Sequence, residues 1–151
     1  IFIADFGSPF FVQERIGINK KVFKIIKFRT MKNGKVTFVG KVLRRTGIDE
    51  LPQMINILLG QMSFIGPRPL TQADIERLGW TDGYYDVRWK LKPGIMGLAQ
   101  LSPVCHKKMS WHLDRHYIEQ RSMWLDTKIF ATSLLIPIVG KSVIKSWMKK
   151  G

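Results

Sequence analysis

Two segments near the start of the chain, Phe10 to Gly17 and Val22 to Met31, are rich in β-branched and aromatic residues and are separated by a short turn around Asn19. That pattern predicts two antiparallel strands. Asn33-Gly34 marks a further tight turn. Beyond it the apolar positions take helical spacing, over Val39 to Arg45, Asp49 to Leu59 and Thr71 to Leu78. In the second of these, Leu51, Met54, Ile55, Leu58 and Leu59 form a one-sided apolar stripe, Thr46 and Asp49 have capping-box spacing, and Gly60 ends the run. In the third, Thr71 and Asp74 form a capping box and Gly79 is the stop. Gly83 to Gln100 is mixed and loop-rich, and from about Trp111 to Lys150 the helical pattern returns, with breaks expected near Ser122 and Pro137. With no internal repeat and no low-complexity linker, the pattern predicts one α+β domain weighted toward helix.

Length agrees: 151 residues are one domain's worth and enough for a core. Charge adds a direction. The formal net charge is +14, with eleven basic and two acidic residues over 1–45, ten and nine over 46–140, and four and none over 141–151. Basic ends around a balanced middle suit an anionic partner, whether phospholipid headgroups, the phosphates of a nucleotide sugar or nucleic acid. The single cysteine, Cys105, excludes an intramolecular disulfide and fits a reducing compartment. There is no secretory signal pattern. The longest uncharged run, Ile129 to Gly140, is interrupted by Pro137 and is too short to span a bilayer. Flanked by Trp124 on one side and by Trp147, Lys149 and Lys150 on the other, it reads as an interfacial helix or as a helix buried against the core.

The chemistry concentrates between residues 44 and 69. Asp49 and Glu50 are adjacent carboxylates at the expected start of a helix, with Arg44, Arg45 and Arg68 flanking them in sequence. Asp is also a common N-cap, so Asp49 alone is compatible with an ordinary cap. Gly66-Pro67-Arg68-Pro69 shifts the balance: two prolines fix the backbone around a guanidinium, which suits phosphate recognition. A carboxylate nucleophile and a neighbouring carboxylate base, surrounded by cations, are what group transfer at phosphorus requires. Lys27, Arg29 and Arg15 are further candidate phosphate ligands, or else a solvated basic face. His112 and His116, four residues apart near Cys105 and His106, raise a metal site, but no recognised zinc spacing is present. Trp80, Tyr84, Tyr85 and Trp89 could stack on the flat face of a ligand ring, or serve core packing or interface anchoring.

The run Arg44 to Pro69, R-R-T-G-I-D-E-L-P-Q-M-I-N-I-L-L-G-Q-M-S-F-I-G-P-R-P, resembles the core of the bacterial sugar transferases, the monotopic polyprenyl-phosphate phosphoglycosyl transferases. Phe10 to Gly17, Phe23 to Met31 and Lys92 to Gln100 resemble further blocks of the same family. The resemblance implies a membrane-associated monotopic fold, a small antiparallel hairpin with several amphipathic helices. It implies that Asp49 attacks the β-phosphate of a UDP-sugar, expels UMP and carries the phosphosugar covalently until polyprenyl phosphate takes it up. Glu50 would accept a proton or orient the acceptor. A ring stacked on Trp80, Tyr84, Tyr85 or Trp89 would be the uridine or the sugar. Arg44, Arg68, Lys27, Arg29 and Arg15 would bind phosphate, and Mg²⁺, placed on Asp49, would offset charge. The expected location is the cytoplasmic face of a bacterial inner membrane, with an anionic membrane surface as partner and no nucleic acid. An inactive scaffold of the same fold and a basic nucleic-acid-binding module are the alternatives. The family's hydrophobic re-entrant helix has only Ile1 to Ile3 as a counterpart, so the chain is expected to be a single catalytic domain, 1–151, cut from a longer protein. Gln61 stands where the family usually has Asp, Leu98 where it has Trp, and the segment 102–108 departs from it, so no sugar is assigned.

Overall fold

A computed structural model describes residues 8–102 and 107–139. The expected hairpin is present: β1 (Phe10–Ile16) pairs antiparallel with β2 (Val22–Phe28), Phe10 opposite Phe28 and Ile16 opposite Val22. Asn19 takes the turn with φ 54. A short second hairpin, β3 (Met31–Lys32) with β4 (Lys35–Val36), turns at Asn33 and Gly34, both with positive φ. Helix α1 (Phe38–Thr46) is capped by Thr37, whose hydroxyl accepts from Gly40 N at 3.0 Å. A 3₁₀ turn (Ile48–Glu50) and helix α2 (Gln53–Leu58) follow. Strand β5 (Ser63–Ile65) pairs with β6 (Gly94–Met96). Between them lie helix α3 (Gln72–Leu78), with the expected Thr71–Asp74 capping box and left-handed Gly79, and a 3₁₀ run over Gly83–Lys90. Helices α4 (Leu98–Leu101), α5 (Lys107–Gln120) and α6 (Met123–Val139) complete the α+β fold.

Three local expectations need correction, and one pairing is new. Thr46 is the last residue of α1, and its hydroxyl donates to the carbonyls of Val42 and Leu43 rather than capping a following helix. Asp49 and Glu50 therefore sit in a separate 3₁₀ turn, because Gly47, at φ 74, reverses the chain before them and Pro52 lies just after. The β5–β6 pair is parallel, a partnership across thirty residues that no local pattern announces. The break at Pro137 is absent: α6 runs through it to Val139, the helix absorbing one missing backbone donor near the end of its described length. The break near Ser122 is where it was expected, with the Ser122 hydroxyl accepting from Leu125 N at 3.2 Å.

Three small apolar clusters hold these pieces. Ile16, Leu70, Ile75, Trp80, Trp89 and Trp111 form one, and Tyr85 packs on it with its ring centroid 5.5 Å from Trp80 and 4.8 Å from Trp111. Phe23, Ile25 and Met62 join β2 to the α2–β5 corner. Leu101, Tyr117 and Ile129 join α4, α5 and α6. The stripe on α2 belongs to none of them; only Ile57, which is not part of the stripe, packs on the second cluster. Leu58 is 84% exposed and Leu59 65%, whereas Gln53 and Asn56 on the other side of the helix are 1% exposed. The helix is turned with its polar side inward. Asn56 explains this: its Nδ2 donates to Lys24 O at 2.7 Å and to Gln61 Oε1 at 2.8 Å, and its Oδ1 accepts from Ile26 N at 3.2 Å. Gln61 is thereby given a structural role, as acceptor of an Asn56 side-chain N–H. Among the described residues, no helix is long and apolar enough to cross a membrane.

Candidate active site

Gly47 is the pivot of the site. Its left-handed backbone, which costs an L side chain but not glycine, ends α1 and delivers Asp49 and Glu50 within two residues. In a 3₁₀ turn residues three apart eclipse. Ile48 and Leu51 accordingly share the outer side and are exposed, and the two carboxylates turn inward, half-buried. They open into a cleft of about 1010 Å³ lined also by Arg15, Lys27, Arg29, Arg44 and Arg68. All seven candidate site residues thus meet in one cleft. Arg45, which flanks them in sequence, is not among the lining residues.

Each cation reaches the cleft from a different element. Lys27, on β2, donates to Glu50 Oε1 at 2.6 Å. Arg44, in the last turn of α1, donates from Nε to Thr30 Oγ1 at 2.8 Å. Arg15, on β1, donates to Pro69 O at 3.1 Å and lies 3.5 Å from Asp74 Oδ2. Arg29 only grazes the Phe10 carbonyl, at 3.4 Å, and is exposed. Arg68 is exposed to the cleft while Pro67 and Pro69 on either side are buried. The prolines anchor the backbone and the guanidinium projects.

These charges act on Asp49 in opposite directions. Burial and the neighbouring Glu50 push its carboxyl above the ordinary 3.8, and Lys27, Arg44 and a backbone N–H pull it back only in part. Asp49 is the carboxylate of the pair that no cation holds by a short contact among the described residues. Burial also pushes Asp114 up, against the pull of Arg88 and, more weakly, of the Arg68 charge and main-chain N–H. Asp74 moves the other way: burial raises it, but hydrogen bonds from Arg77 and Thr71 outweigh that and bring it below 3.8.

The structure adds residues that the sequence did not single out. Gln13 and Gln100 bring amides to the cleft, and Gln100 Nε2 donates to Gly94 O at 3.3 Å while its Oε1 has no partner. Gln100 lay inside a block of family resemblance with no role assigned to it. Trp80, Tyr84, Tyr85 and Trp89 do not line the cleft; they pack around Trp111 and Arg88. His112 and His116 are exposed, and Cys105 and His106 lie outside the described residues. Among the described residues no group of three or more His, Cys, Asp or Glu side chains could hold a metal ion.

An adjacent carboxylate pair in a basic cleft, carried on a small α+β frame, is an arrangement chemically able to receive a phosphate. The chain belongs to the bacterial sugar transferase family, which matches residues 1–139. It is 36% identical over 159 residues to the UDP-glucose:undecaprenyl-phosphate glucose-1-phosphate transferase of Escherichia coli (strain K12), covering 90% of this chain and 34% of that protein. It is 34% identical over 153 residues to the UDP-N-acetylgalactosamine-undecaprenyl-phosphate N-acetylgalactosaminephosphotransferase of Aeromonas hydrophila, covering 89% and 36%. It is 34% identical over 154 residues to the uncharacterized sugar transferase EpsL of Bacillus subtilis (strain 168), covering 91% and 74%. The chain therefore spans about a third of the length of the first two relatives.

Proposed function

We propose that this chain is the catalytic domain of a phosphotransferase that moves a sugar 1-phosphate from a UDP-sugar to polyprenyl phosphate. The observation that carries the reading is the half-buried Asp49, free of any short ion pair among the described residues and sharing the cleft with Arg44 and Arg68. In the first step an Asp49 carboxylate oxygen attacks the β-phosphorus, the bond from that phosphorus to the bridging oxygen breaks, and UMP leaves with the electron pair. The phosphosugar remains as an acyl phosphate on Asp49. In the second step an oxygen of polyprenyl phosphate attacks the same phosphorus, and Asp49 departs as a carboxylate. Arg68 and Arg44 stabilise the negative charge that builds on the phosphoryl oxygens. Glu50, held by Lys27, orients the acceptor phosphate or takes its proton.

The residues also fit a Mg²⁺ ion. Such a cation takes one or two carboxylates together with substrate phosphate oxygens, and the Asp49–Glu50 pair offers that donor set. Asp49 would hold the ion, which when bound would neutralise charge at the diphosphate. The relatives named above act on different sugars at similar identity, so the reading stops at the UDP-sugar class.

The exposed stripe supports contact with a membrane. Phe38, Val42, Ile48, Leu51, Ile55, Leu58 and Leu59, from α1, the 3₁₀ turn and α2, are all more than 40% exposed. Apolar side chains presented beside the catalytic turn, with Lys41 and Arg45 exposed among them, suit an anionic bilayer that holds the lipid acceptor. On this reading the protein works at the cytoplasmic face of a bacterial inner membrane.

The test is direct. Incubated with Mg²⁺ and a panel of UDP-sugars without lipid acceptor, the wild type should release UMP and gain the mass of one phosphosugar, and Asp49→Asn should do neither. Silence with every donor would sink the reading.

A further inference from the structure

Pro67-Arg68-Pro69 is an unusual piece of backbone because its two prolines leave it only one N–H but three carbonyls. Each carbonyl is nevertheless engaged. Pro67 O accepts from Gly94 N at 2.9 Å, Pro69 O accepts from Arg15 Nη1 at 3.1 Å, and the middle one, Arg68 O, accepts a short hydrogen bond from Arg88 Nη2. Arg88 is 2% exposed, and its Nε donates to Asp114 Oδ2 at 2.8 Å, with Asp114 also 2% exposed. The guanidinium lies 5.0 Å from the ring centroid of Trp89 and 5.5 Å from that of Trp80, so its orientation is set on its faces as well as its edge. Neither Arg88 nor Asp114 lines the cleft. A buried ion pair contributes little to net stability, since desolvation consumes most of the attraction. What this one does have is a fixed donor aimed at the backbone of Arg68.

We propose that the buried Arg88–Asp114 pair is a positioning strut that sets the Arg68 guanidinium for the diphosphate of the donor. It rests on the transfer reading for the identity of that anion. Asp114 fixes Arg88, Arg88 fixes the Arg68 carbonyl, and the Arg68 side chain therefore enters the cleft from a backbone already set between two buried prolines, which lowers the ordering cost of binding.

The strut predicts energetic coupling between Arg88 and Arg68. The variant Arg88→Met/Asp114→Leu removes both charges together, which a core tolerates far better than removing one, and thermal unfolding monitors its fold. UDP affinity is measured by calorimetry for the wild type, this double variant, Arg68→Ala, and all three substitutions combined. The double variant should bind UDP on the order of 10- to 100-fold more weakly, the range of a lost charge-assisted hydrogen bond. In the Arg68→Ala background the same two substitutions should change affinity by less than about 3-fold, because coupled residues are not additive. Arg88→Lys, which keeps charge but not the fork, should fall between. Equal losses in both backgrounds, no loss in either, unfolding of the double variant together with unchanged affinity in Arg88→Lys, or a wild type that does not bind UDP would each overturn the strut. UDP binding with the predicted coupling but no UMP release would instead refute the transfer reading and leave the strut standing.

Discussion

Replacing Gly40 with alanine should disable the site from outside it. Gly40 lies in α1 exactly one helical step of four before Arg44, so both face the same neighbour, the buried Thr30. A Cβ on Gly40 would lie 2.1 Å from the Thr30 carbonyl oxygen and 2.9 Å from Thr30 Cα, whereas real Cβ contacts essentially never fall below 3.0 Å. No rotamer relieves a clash with backbone, so α1 must retreat by about 0.9 Å. Gly→Ala inside a helix ordinarily stabilises by about 1 kcal/mol. Overpacking here opposes that by about 3 kcal/mol, the upper end for cores, because neither partner can rotate away. The expected net loss is about 2 kcal/mol, or roughly 4–8 °C in Tm for a chain of this size. The retreat carries Arg44 off its 2.8 Å contact with Thr30, and a misplacement of about 1 Å can cost on the order of 10²-fold in rate. Differential scanning calorimetry and single-turnover UMP release measure the two effects, with the exposed Lys41→Ala on the same helix as control. A Gly40→Ala protein as stable and as fast as the control would refute the argument that α1 is held in place by this close approach.

Asp49→Asn should be more stable than the wild type near pH 7 while losing UMP release. Because the folded-state pKa of Asp49 is raised, its protonated form favours folding: that stability is present below 3.8 and is lost as pH rises through the folded value, so the advantage of the Asn variant should shrink on acidification. Wild-type turnover should correspondingly fall at a higher pH than an ordinary aspartate would dictate, and an acid limb centred at or below 3.8 would contradict this. Asn56→Ala should cost about 2–3 kcal/mol in urea unfolding, since it strips partners from two β2 backbone groups and from Gln61; a loss under about 0.5 kcal/mol would show that water replaces the amide. Leu58→Gln/Leu59→Gln should leave unfolding within about 0.5 kcal/mol but weaken co-sedimentation with anionic vesicles at least about 10-fold, each buried leucine contributing about 1.5–3 kcal/mol. Unchanged vesicle binding would place the membrane contact elsewhere.

The hairpin, the Thr71–Asp74 cap and the seven charged residues of the cleft were legible in the sequence because each is encoded by a few neighbouring residues or by one conspicuous motif. The apolar period on α2 was read correctly as a pattern, but periodicity carries no sign: it says that one side differs from the other, not which side is inward. Asn56 decides that, and an asparagine in a helical stretch announces nothing until β2 is beside it. Thr46 had the right spacing for a cap and the wrong partner, because Gly47 turned the chain first. Asp114 resembles a family aspartate only provisionally, because the spacing before it is altered, and its pairing with Arg88 was hidden for a different reason. The two are 26 residues apart, and a buried charge looks like a surface one until its partner is known.

The described residues contain three two-stranded sheets and no larger one, so every strand is an edge. An open edge is a template for another chain, and Val22–Phe28, VFKIIKF, has the β-branched and aromatic content that such pairing favours. On its free side, Asn56 meets Lys24 O and Ile26 N as a third strand would, donating to one and accepting from the other. One carboxamide thus closes the middle of the edge, and the exposed Lys24 adds a charge that a docking strand would have to cover. Loss of this amide would therefore change the fate of the protein as well as its stability: the folded chain would carry an unguarded β-template, which favours aggregation from the native state.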